Sequence, residues 1–475
     1  MSDATAADPG QQSRKGDETY SAALASFIHG LRYEDIPEDV RARAKYLILD
    51  SVGIAMASNH YDFSDRIFAG IRAMADGGEG TVIGKSERLP LRDAILMNGA
   101  LVHGLDFDDT HMNAVVHATA VSFPSAMNIA EKLKVSGADL LTAYIAGMEV
   151  AIRVGEAANF GFHHNGYHAT GVVGHFSAVL LAGKLLGLDI AQLTAAQGMA
   201  GSTAMASLEF VEDGAWNKRL HPGWAGVAGY TAASIAKAGF VAPGKPYEGR
   251  YGVFKMHLGE HEAEVRYDDI VARLGERWAV TETAIKPYPT CHFTHAIADS
   301  ALALRAQHNI NADEIIRIRA LIPEEVIPVI AEPIANKKRP SSDYDAKFST
   351  QFIAAACFQR GKFGLAELEA DVLRDPAILA LADKVECETD AKSEFPRYYS
   401  GGMVVSTRDG GEFVHHERIN RGAGDRALSG EEIEVKFMDN ALLVTSREQA
   451  EAVRNSVLSL DEQDAAGFAR SLAPR

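Results

Sequence analysis

The densest group of side chains that could carry chemistry lies between residues 103 and 117. The segment HGLDFDDTH, with a further histidine at position 117, brings together carboxylates, imidazoles and a hydroxyl. Such a mixture is suited to moving protons during a reaction. If the segment formed one helix, positions 103, 106, 110 and 117 would share a face. We therefore expect Asp106, Thr110 and His117 to point into a pocket.

Other interpretations of this segment remain open. Its carboxylates could cap the following helix and do nothing else. They could also bind Mg²⁺ through hard oxygen ligands, as the aspartate-rich motifs of all-helical prenyl-transferring enzymes do. That enzyme class needs a second acidic cluster on a facing helix, and Glu209, Glu212 and Asp213 come nearest to one. A binding protein without catalytic activity is the third alternative.

Three later segments add candidate residues. GYHATG has a histidine at a helix start, which could equally be a core imidazole. NKRLHPGW precedes a helix rich in small residues, and helix N-termini with a nearby lysine attract anions. KPYPTCHFTH places two histidines at i and i+3 after a rigid proline-containing lead-in. The candidates in these segments are His168, Lys218, His221, Lys286, His292 and His295.

Several function classes have no support in the sequence. There is no GxxxxGK[ST], no GxGxxG after a strand, no HExxH and no GxSxG, which removes the usual signatures of nucleotide binding, metalloproteases and serine hydrolases. The three cysteines are far apart and form no CxxC pair, so a zinc ribbon is excluded. The formal charge of −17, from 47 basic and 64 acidic residues, argues against nucleic-acid binding.

The same features indicate where the protein works. Sparse cysteines suit a reducing compartment, and the polar N-terminus contains no apolar run of signal-peptide length. No uninterrupted apolar stretch reaches the roughly 18–20 residues that cross a bilayer. We therefore expect a cytoplasmic protein that binds no membrane, with a disordered tail over residues 1–17.

The elements that must position these residues fall into two kinds. From residue 18 to about 275 the pattern is helical, with a helix start at Pro37 and apolar helices near 171–187 and 195–208. Residues 276–419 mix helices near 292–307 and 345–360 with alternating segments that predict strands at 279–286, 314–323, 385–390 and 402–418, the last turning at DGG. Residues 420–475 are helical and little apolar. The prediction is a mainly α protein, with one discontinuous all-helical domain (18–275 and 420–475) and a smaller α+β lid domain (276–419).

The ordered motifs NGxxxHxxDFDDTH, VH, YHxTxVVG, NKRLHPGWAGVAG and KPYPTCHFTHxxxD resemble those of the MmgE/PrpD family. The resemblance spans nearly the whole chain, from about residue 20 to 460. It implies a helical domain with an α+β lid, a homodimer, and a reaction on a small di- or tricarboxylate without metal or organic cofactor. Dehydratases, decarboxylases and an epimerase belong to this family.

The resemblance also implies roles for individual residues. Asp106, Thr110, His117, His168 and Lys218 match catalytic positions, and His221, Lys286, His292 and His295 are the expected substrate-binding residues. Position 118 is alanine where many members have proline. The tyrosine that decarboxylases of the family contribute from the lid has no counterpart near residues 326–330.

These observations favour a cofactor-independent lyase that dehydrates a hydroxy polycarboxylate resembling 2-methylcitrate. Removing a proton beside a carboxylate builds a second negative charge, which fixed cations must stabilise. Lys218, together with a protonated His168 or His221, is the expected counter-charge, and Asp106 or a neutral histidine such as His117 is the expected base. Decarboxylation of a cis-aconitate-like substrate and epimerisation of an iminodisuccinate-like substrate are the alternatives.

Overall fold

The computed structural model describes residues 18–474, so the tail predicted for residues 1–17 lies outside the described part. That part consists mainly of helices with one small mixed sheet, which confirms the predicted fold class. Helix α2 begins at Glu38 directly after Pro37, as predicted.

Long helices dominate the chain before residue 275, with one short hairpin that the sequence analysis did not predict. The helices are α1 (Tyr20–Gly30), α2 (Glu38–Ser58), α3 (Asp62–Arg72), α4 (Leu91–His103), α5 (Ala118–Leu133), α6 (Gly137–Ala157), α7 (Gly161–His164), α8 (Ala169–Leu186), α9 (Ile190–Ala200), α10 (Phe210–Asp213), α11 (His221–Lys237) and α12 (Val253–His257). The hairpin pairs β1 (Gly80–Thr81) with β2 (Arg88–Leu89).

Small residues let α4, α8 and α11 approach one another closely. A Cβ added at Gly229 of α11 would lie 2.4 Å from the Cβ of Ala178 in α8, and one at Gly223 would lie 2.3 Å from the carbonyl oxygen of Leu96 in α4. Among the described residues, α8 is the helix long and apolar enough to span a membrane by composition, but 83% of it is buried inside the fold. Burial of that kind is typical of a core helix.

The later part of the chain forms a second core around a four-stranded sheet. Its strands are β3 (Ile315–Ile322), β4 (Val385–Thr389), β5 (Gly401–Thr407) and β6 (Glu412–Glu417), in the order β4-β3-β5-β6. β3 is parallel to β4 and antiparallel to β5, and β5–β6 is the hairpin predicted at DGG. The helices here are α13 (His295–His308), α14 (Ile327–Ile330), α15 (Ile334–Lys338), α16 (Asp343–Ala346), α17 (Thr350–Arg360) and α18 (Pro376–Ala382).

The predicted strand at 279–286 is wrong. Residues 279–282 form a 3-10 helix, and only Ala284 makes a β-bridge, with Thr110. The backbone N–H of Val280 donates instead to the buried carboxylate of Glu149 at 3.1 Å, so it is not available to a neighbouring strand. The predicted helix at 195–208 is also too long, because α9 ends at Ala200.

The last helices return to the first core. They are α19 (Gly430–Ala441), α20 (Arg447–Leu458) and α21 (Ala465–Ser471). Phe437 of α19 packs on Gly53 of α2, and buried Lys436 pairs with buried Asp50 at 2.7 Å. The exact domain boundaries near 275 and 420 stay a prediction.

Candidate active site

The residues between α4 and α5 form a folded loop rather than the helix considered above. α4 ends at His103 and α5 begins at Ala118, with His117 preceding its first turn. Two backbone pairings shape the loop, between Thr110 and Ala284 and between His111 and Val116. The side chains of Asp106, Thr110 and His117 reach one cavity through this loop geometry, not through a shared helix face.

Asp106 is held between two lysines from distant parts of the chain. Its Oδ1 accepts hydrogen bonds from Lys218 Nζ at 3.0 Å and from Lys286 Nζ at 2.9 Å, and Lys286 also donates to the Asp106 carbonyl oxygen at 2.9 Å. Burial alone would raise the pKa of Asp106, but the two ammonium groups lower it well below its usual range. Asp106 is therefore a stable carboxylate and a weak base. Its Oδ2 is buried without a hydrogen-bond partner among the described residues.

His117 is arranged as a neutral base. Its Nδ1 lies 2.8 Å from the carbonyl oxygen of Asp109 and 3.3 Å from Thr110 Oγ1. Because a carbonyl oxygen can only accept, Nδ1 carries the hydrogen and the lone pair of the neutral ring lies on Nε2. Burial lowers the pKa of His117 well below 6.5. The Asp108 carboxylate, 4.0 Å from Nδ1, can stabilise the imidazolium that forms when Nε2 takes a proton.

His168 lies beside His117 and pairs with His221. The ring centroids of His117 and His168 are 6.0 Å apart, and the Nδ1 atoms of His168 and His221 are 3.0 Å apart. Burial lowers the pKa of His168 well below 6.5 and that of His221 to about 4. Desolvation favours the neutral form of both rings in this structure. A protonated histidine as counter-charge stays a prediction. The second positive charge comes from Lys286.

Seven of the nine predicted residues line the cavity and two do not. The seven are Asp106, Thr110, His117, His168, Lys218, Lys286 and His292. His221 lies behind His168, and His295 lies behind His292 with ring centroids 4.6 Å apart and its Nε2 3.3 Å from the Thr290 carbonyl oxygen. His221 and His295 contact residues that face the cavity and do not line it themselves. Substrate binding by these two histidines stays a prediction.

Some residues of the site were not among those predicted. The His103 ring stacks on that of His168 at 5.5 Å and lies tilted against that of His117 at 4.8 Å, and its Nδ1 donates to Asp108 Oδ2 at 2.8 Å. Its position three residues before Asp106 was the available signal. Cys291 and Tyr399 also line the cavity, but Tyr399 Oη is engaged, donating to the Met112 carbonyl oxygen at 2.7 Å. Neither residue carried a sequence signal beyond its neighbours.

The cavity lies where the two cores meet and has a volume of about 260 Å³. Its walls come from the loop after α4, from α7, α10 and the turn before α11, and from residues 286–348 of the second core. This volume is slightly below the range of drug-sized ligand pockets and suits a small metabolite. Three of its residues, Asp106, Val115 and Phe160, have positive φ angles of 50°, 52° and 68°. Strained backbone of this kind clusters at functional sites.

Metal binding at the cavity depends on which donor atoms its side chains still offer. Within the described residues, the two groups at the cavity that could share an ion are His103–His117–His168 and Asp106–Asp108–His117, and neither includes the acidic residues at 209, 212 and 213. The Nδ1 atoms of His103 and His117 already donate hydrogen bonds, which leaves the Nε2 atoms of these rings as their possible ligand atoms, and Asp106 is paired with two lysines. The second acidic cluster that a prenyl-type magnesium enzyme needs does not come to this site. The arrangement suits proton transfer.

Comparison with known proteins covers both cores. A family model described as the MmgE/PrpD N-terminal domain matches residues 22–266, and one described as the MmgE/PrpD C-terminal domain matches residues 288–462. A cis-aconitate decarboxylase-like protein oryM from Aspergillus oryzae is 27% identical over 93% of this chain and 94% of its own length. The cis-aconitate decarboxylases of Mus musculus and Homo sapiens are 26% and 27% identical, each over 94% of this chain and over 91% and 92% of their own lengths.

Proposed function

We propose that this chain, which belongs to the MmgE/PrpD family, is a lyase that transfers a proton at a carbon next to a carboxylate of a small substrate. The observation that carries the proposal is Asp106 held between two lysines, with a neutral His117 in the same cavity. Two ammonium groups against one carboxylate leave a local excess of positive charge. That excess can hold an anionic substrate in a chain whose net charge is −17.

Charge stabilisation comes from Lys218 and Lys286. As the proton leaves, negative charge grows on the substrate carboxylate, and ammonium groups fixed in advance lower the barrier without having to reorganise. Asp106 keeps both ammonium groups in place and in the charged state. Its unpartnered Oδ2 can accept a hydrogen bond from a substrate hydroxyl.

Proton transfer is assigned to the histidines. His117 Nε2 takes the α-proton, and Thr110 and the Asp109 carbonyl oxygen fix the ring through Nδ1. His168 and His221 share one hydrogen between their Nδ1 atoms. The ring that accepts this bond carries its own hydrogen on Nε2, so His168 in that state can donate a hydrogen bond to the departing hydroxyl, which takes the proton held by His117 and leaves as water.

Dehydration of a hydroxy polycarboxylate is therefore the first reaction proposed, because a base and a hydrogen-bond donor for the leaving hydroxyl lie side by side. Decarboxylation of a cis-aconitate-like substrate is the second candidate, and the names of the relatives favour it. In that reaction the carbon–carboxylate bond breaks, CO₂ leaves, and the electron pair that stays on carbon is protonated. The cavity wall between residues 325 and 329 offers glutamate, proline and valine, and the hydroxyl of Tyr399, which also lines the cavity, already donates to the Met112 carbonyl oxygen. This lining supports dehydration as the first candidate.

One experiment separates these reactions. Citrate, 2-methylcitrate, cis-aconitate and iminodisuccinate are each incubated with the enzyme in deuterated buffer and followed by NMR. Loss of water, release of CO₂, or deuterium exchange alone identifies dehydratase, decarboxylase or epimerase activity. The same panel is run with the variant His117→Asn. Absence of all three changes for every carboxylate in the panel, with the wild-type protein folded, would contradict the proposed function.

We also propose a homodimer, with α11 at its interface. Trp224, 60% exposed, and Ile235 lie three turns apart on the outer side of α11, while Phe240 and Val241 follow the helix and are also exposed. Exposed apolar clusters of this kind are typical of protein interfaces. Sedimentation equilibrium at micromolar concentration should give twice the 51.1 kDa of one chain. The variant Trp224→Glu should shift the mass toward one chain, and a wild-type mass of one chain would contradict the proposal.

A further inference from the structure

The short 3-10 turn Asn217–Leu220 carries two consecutive cations that face different ways. Lys218 lines the cavity, whereas Arg219, which is 1% exposed, does not. Successive side chains of a 3-10 helix point about 120° apart, which accounts for the separation. Arg219 is therefore buried outside the cavity, and no step of the proposed reaction uses its charge.

The guanidinium of Arg219 lies against two aromatic rings. Its Cζ is 4.2 Å from the ring centroid of Phe63 and 4.1 Å from that of Tyr344. Phe63 belongs to α3 and Tyr344 to α16 of the second core, so these contacts join two distant parts of the chain. An apolar side chain of similar length could fill this space without the cost of burying a charge. Packing alone therefore does not account for an arginine here.

The polar contacts of Arg219 lead to two sides of the site. Its Nε donates to the carbonyl oxygen of Gly104 at 2.8 Å, two residues before Asp106. Its Nη2 lies 3.7 Å from Oδ2 of Asp343, in the first turn of α16. The planar guanidinium holds its donors in fixed directions, so one rigid group sets both contacts. The loop that carries Asp106 is thereby tied to the second core.

The same part of the second core also contacts Lys218. The ring of Tyr344 packs against that of Phe348, with centroids 5.7 Å apart. Phe348 lines the cavity, and Lys218 Nζ lies 5.1 Å from its ring centroid. Residues 343–348 therefore contact both cations of the turn. Since Lys218 also donates to Asp106, the loop, the turn and this segment form one connected set of contacts.

From these contacts we propose that Arg219 is a positioning residue, which fixes the placement of Asp106 and Lys218 relative to each other and to the second core. The inference rests on the proposed function, because that function assigns the two aligned residues to the reaction. Without Arg219 the ammonium group stays in the cavity and still attracts an anionic substrate. The transition state requires exact placement, so the loss falls mainly on the rate of the bound substrate.

The kinetic test compares Arg219→Met with the wild-type protein on cis-aconitate and 2-methylcitrate. Methionine keeps apolar contacts with the two rings and makes neither polar contact. kcat should fall by about 10²-fold, the loss that a small misplacement of reacting groups can cause. KM should change by a much smaller factor, because the cations of the cavity remain. Arg219→Lys keeps the charge without the planar fork and should recover only part of the rate.

Asp343→Asn tests the contact with the second core from its other side. It should lower kcat by a smaller factor, and combining it with Arg219→Met should add no further loss, because the two residues act through one contact. Arg305→Met is the matched control, since Arg305 donates to the carbonyl oxygen of Phe358 and does not line the cavity. This control should leave kcat unchanged. Thermal melting of every variant establishes that the assays measure folded enzyme.

A second readout needs no activity. Backbone hydrogen exchange over residues 104–110 should be faster in Arg219→Met and unchanged in Arg305→Met. Wild-type kcat or wild-type exchange in a folded Arg219→Met protein would overturn the inference and leave the proposed function standing. If that variant does not fold, wild-type kcat in Asp343→Asn overturns it. A wild-type protein that converts none of the carboxylates refutes the proposed function instead, and the exchange rates then decide whether Arg219 holds the loop.

Discussion

Lys218 is the residue whose removal tests the proposed mechanism most directly. It is 5% exposed, and its Nζ lies 3.0 Å from Asp106 Oδ1. At that distance the attraction between two unit charges is roughly 5 to 6 kcal/mol at an effective dielectric constant of about 20, which is an upper limit for the pair. The substrate carboxylate would gain a comparable attraction as its charge grows in the transition state.

The variant Lys218→Met should therefore lower kcat/KM strongly while the protein still folds. Losing one fixed donor to a developing anion typically costs roughly 3–4 kcal/mol, or about 10²–10³ in rate. Ground-state binding should weaken by a smaller factor, because the substrate carries less charge at the carboxylate before the proton leaves. Folding is preserved because Lys286 stays 2.9 Å from Asp106, so no buried carboxylate is left unpaired.

Lys218→Arg should not restore the rate. The ammonium lies beside the rings of Phe210 and Phe348, and the planar guanidinium is larger and presents its charge in a different place. Lys45→Met is the matched control, because Lys45 pairs with Asp461 at 3.1 Å and does not line the cavity. Thermal melting and steady-state kinetics are measured on all three variants. A folded Lys218→Met enzyme with near-normal kcat/KM would refute the role of the lysine and the electrostatic argument with it.

Three further results are expected. His117→Asn should lower kcat by a factor of about 10²–10⁴. Because burial keeps the pKa of His117 well below 6.5, kcat/KM of the wild-type enzyme should fall only at a pH well below 6.5. A fall centred at pH 6.5 or higher would contradict the role of His117 as the base. Activity should survive exhaustive treatment with EDTA, whereas loss that Mg²⁺ or Fe²⁺ restores would revive the metal interpretation. Burial, reinforced by the Asp108 charge, raises the pKa of Asp109 to about 8, so its contribution to stability is present below about pH 4 and lost as the pH rises through 8. In urea unfolding at pH 5 and pH 9, Asp109→Asn should remove this loss of unfolding free energy. If the variant keeps the same difference in unfolding free energy between the two pH values, Asp109 is not its source.

The fold could be predicted where local chemistry decides it. The start of α2 at Pro37 and the β5–β6 hairpin at DGG follow from backbone preferences of proline and glycine. The strand expected at 279–286 failed because alternation of apolar residues does not provide a partner strand. The backbone N–H of Val280, which in a strand would donate to a neighbouring strand, donates to Glu149, more than 120 residues away.

The sequence predicts which residue types belong to the site, but it does not predict which of them face the cavity. Spacing at i and i+3 correctly associates His292 with His295, but it does not tell which of the two faces the cavity. For a similar reason, the sequence does not indicate that Lys286 contacts Asp106. Its partner Asp106 is 180 residues away, and sequence spacing carries no information on contacts across such a distance.

The conformation of the loop after α4 could not be predicted from the sequence, because distant contacts stabilise it. Asp106 and Val115 both adopt left-handed backbone angles, which cost roughly 1–2 kcal/mol each for residues with a Cβ. Contacts from elsewhere offset that cost. Lys286 donates to the carbonyl oxygen of Asp106, and Lys436 of the C-terminal helix α19 donates to that of Phe107 at 2.9 Å. Because residues 180 and 329 positions further along the chain hold this loop in a conformation that its own sequence disfavours, the placement of Asp106 against its lysines depends on contacts that sequence spacing does not reveal.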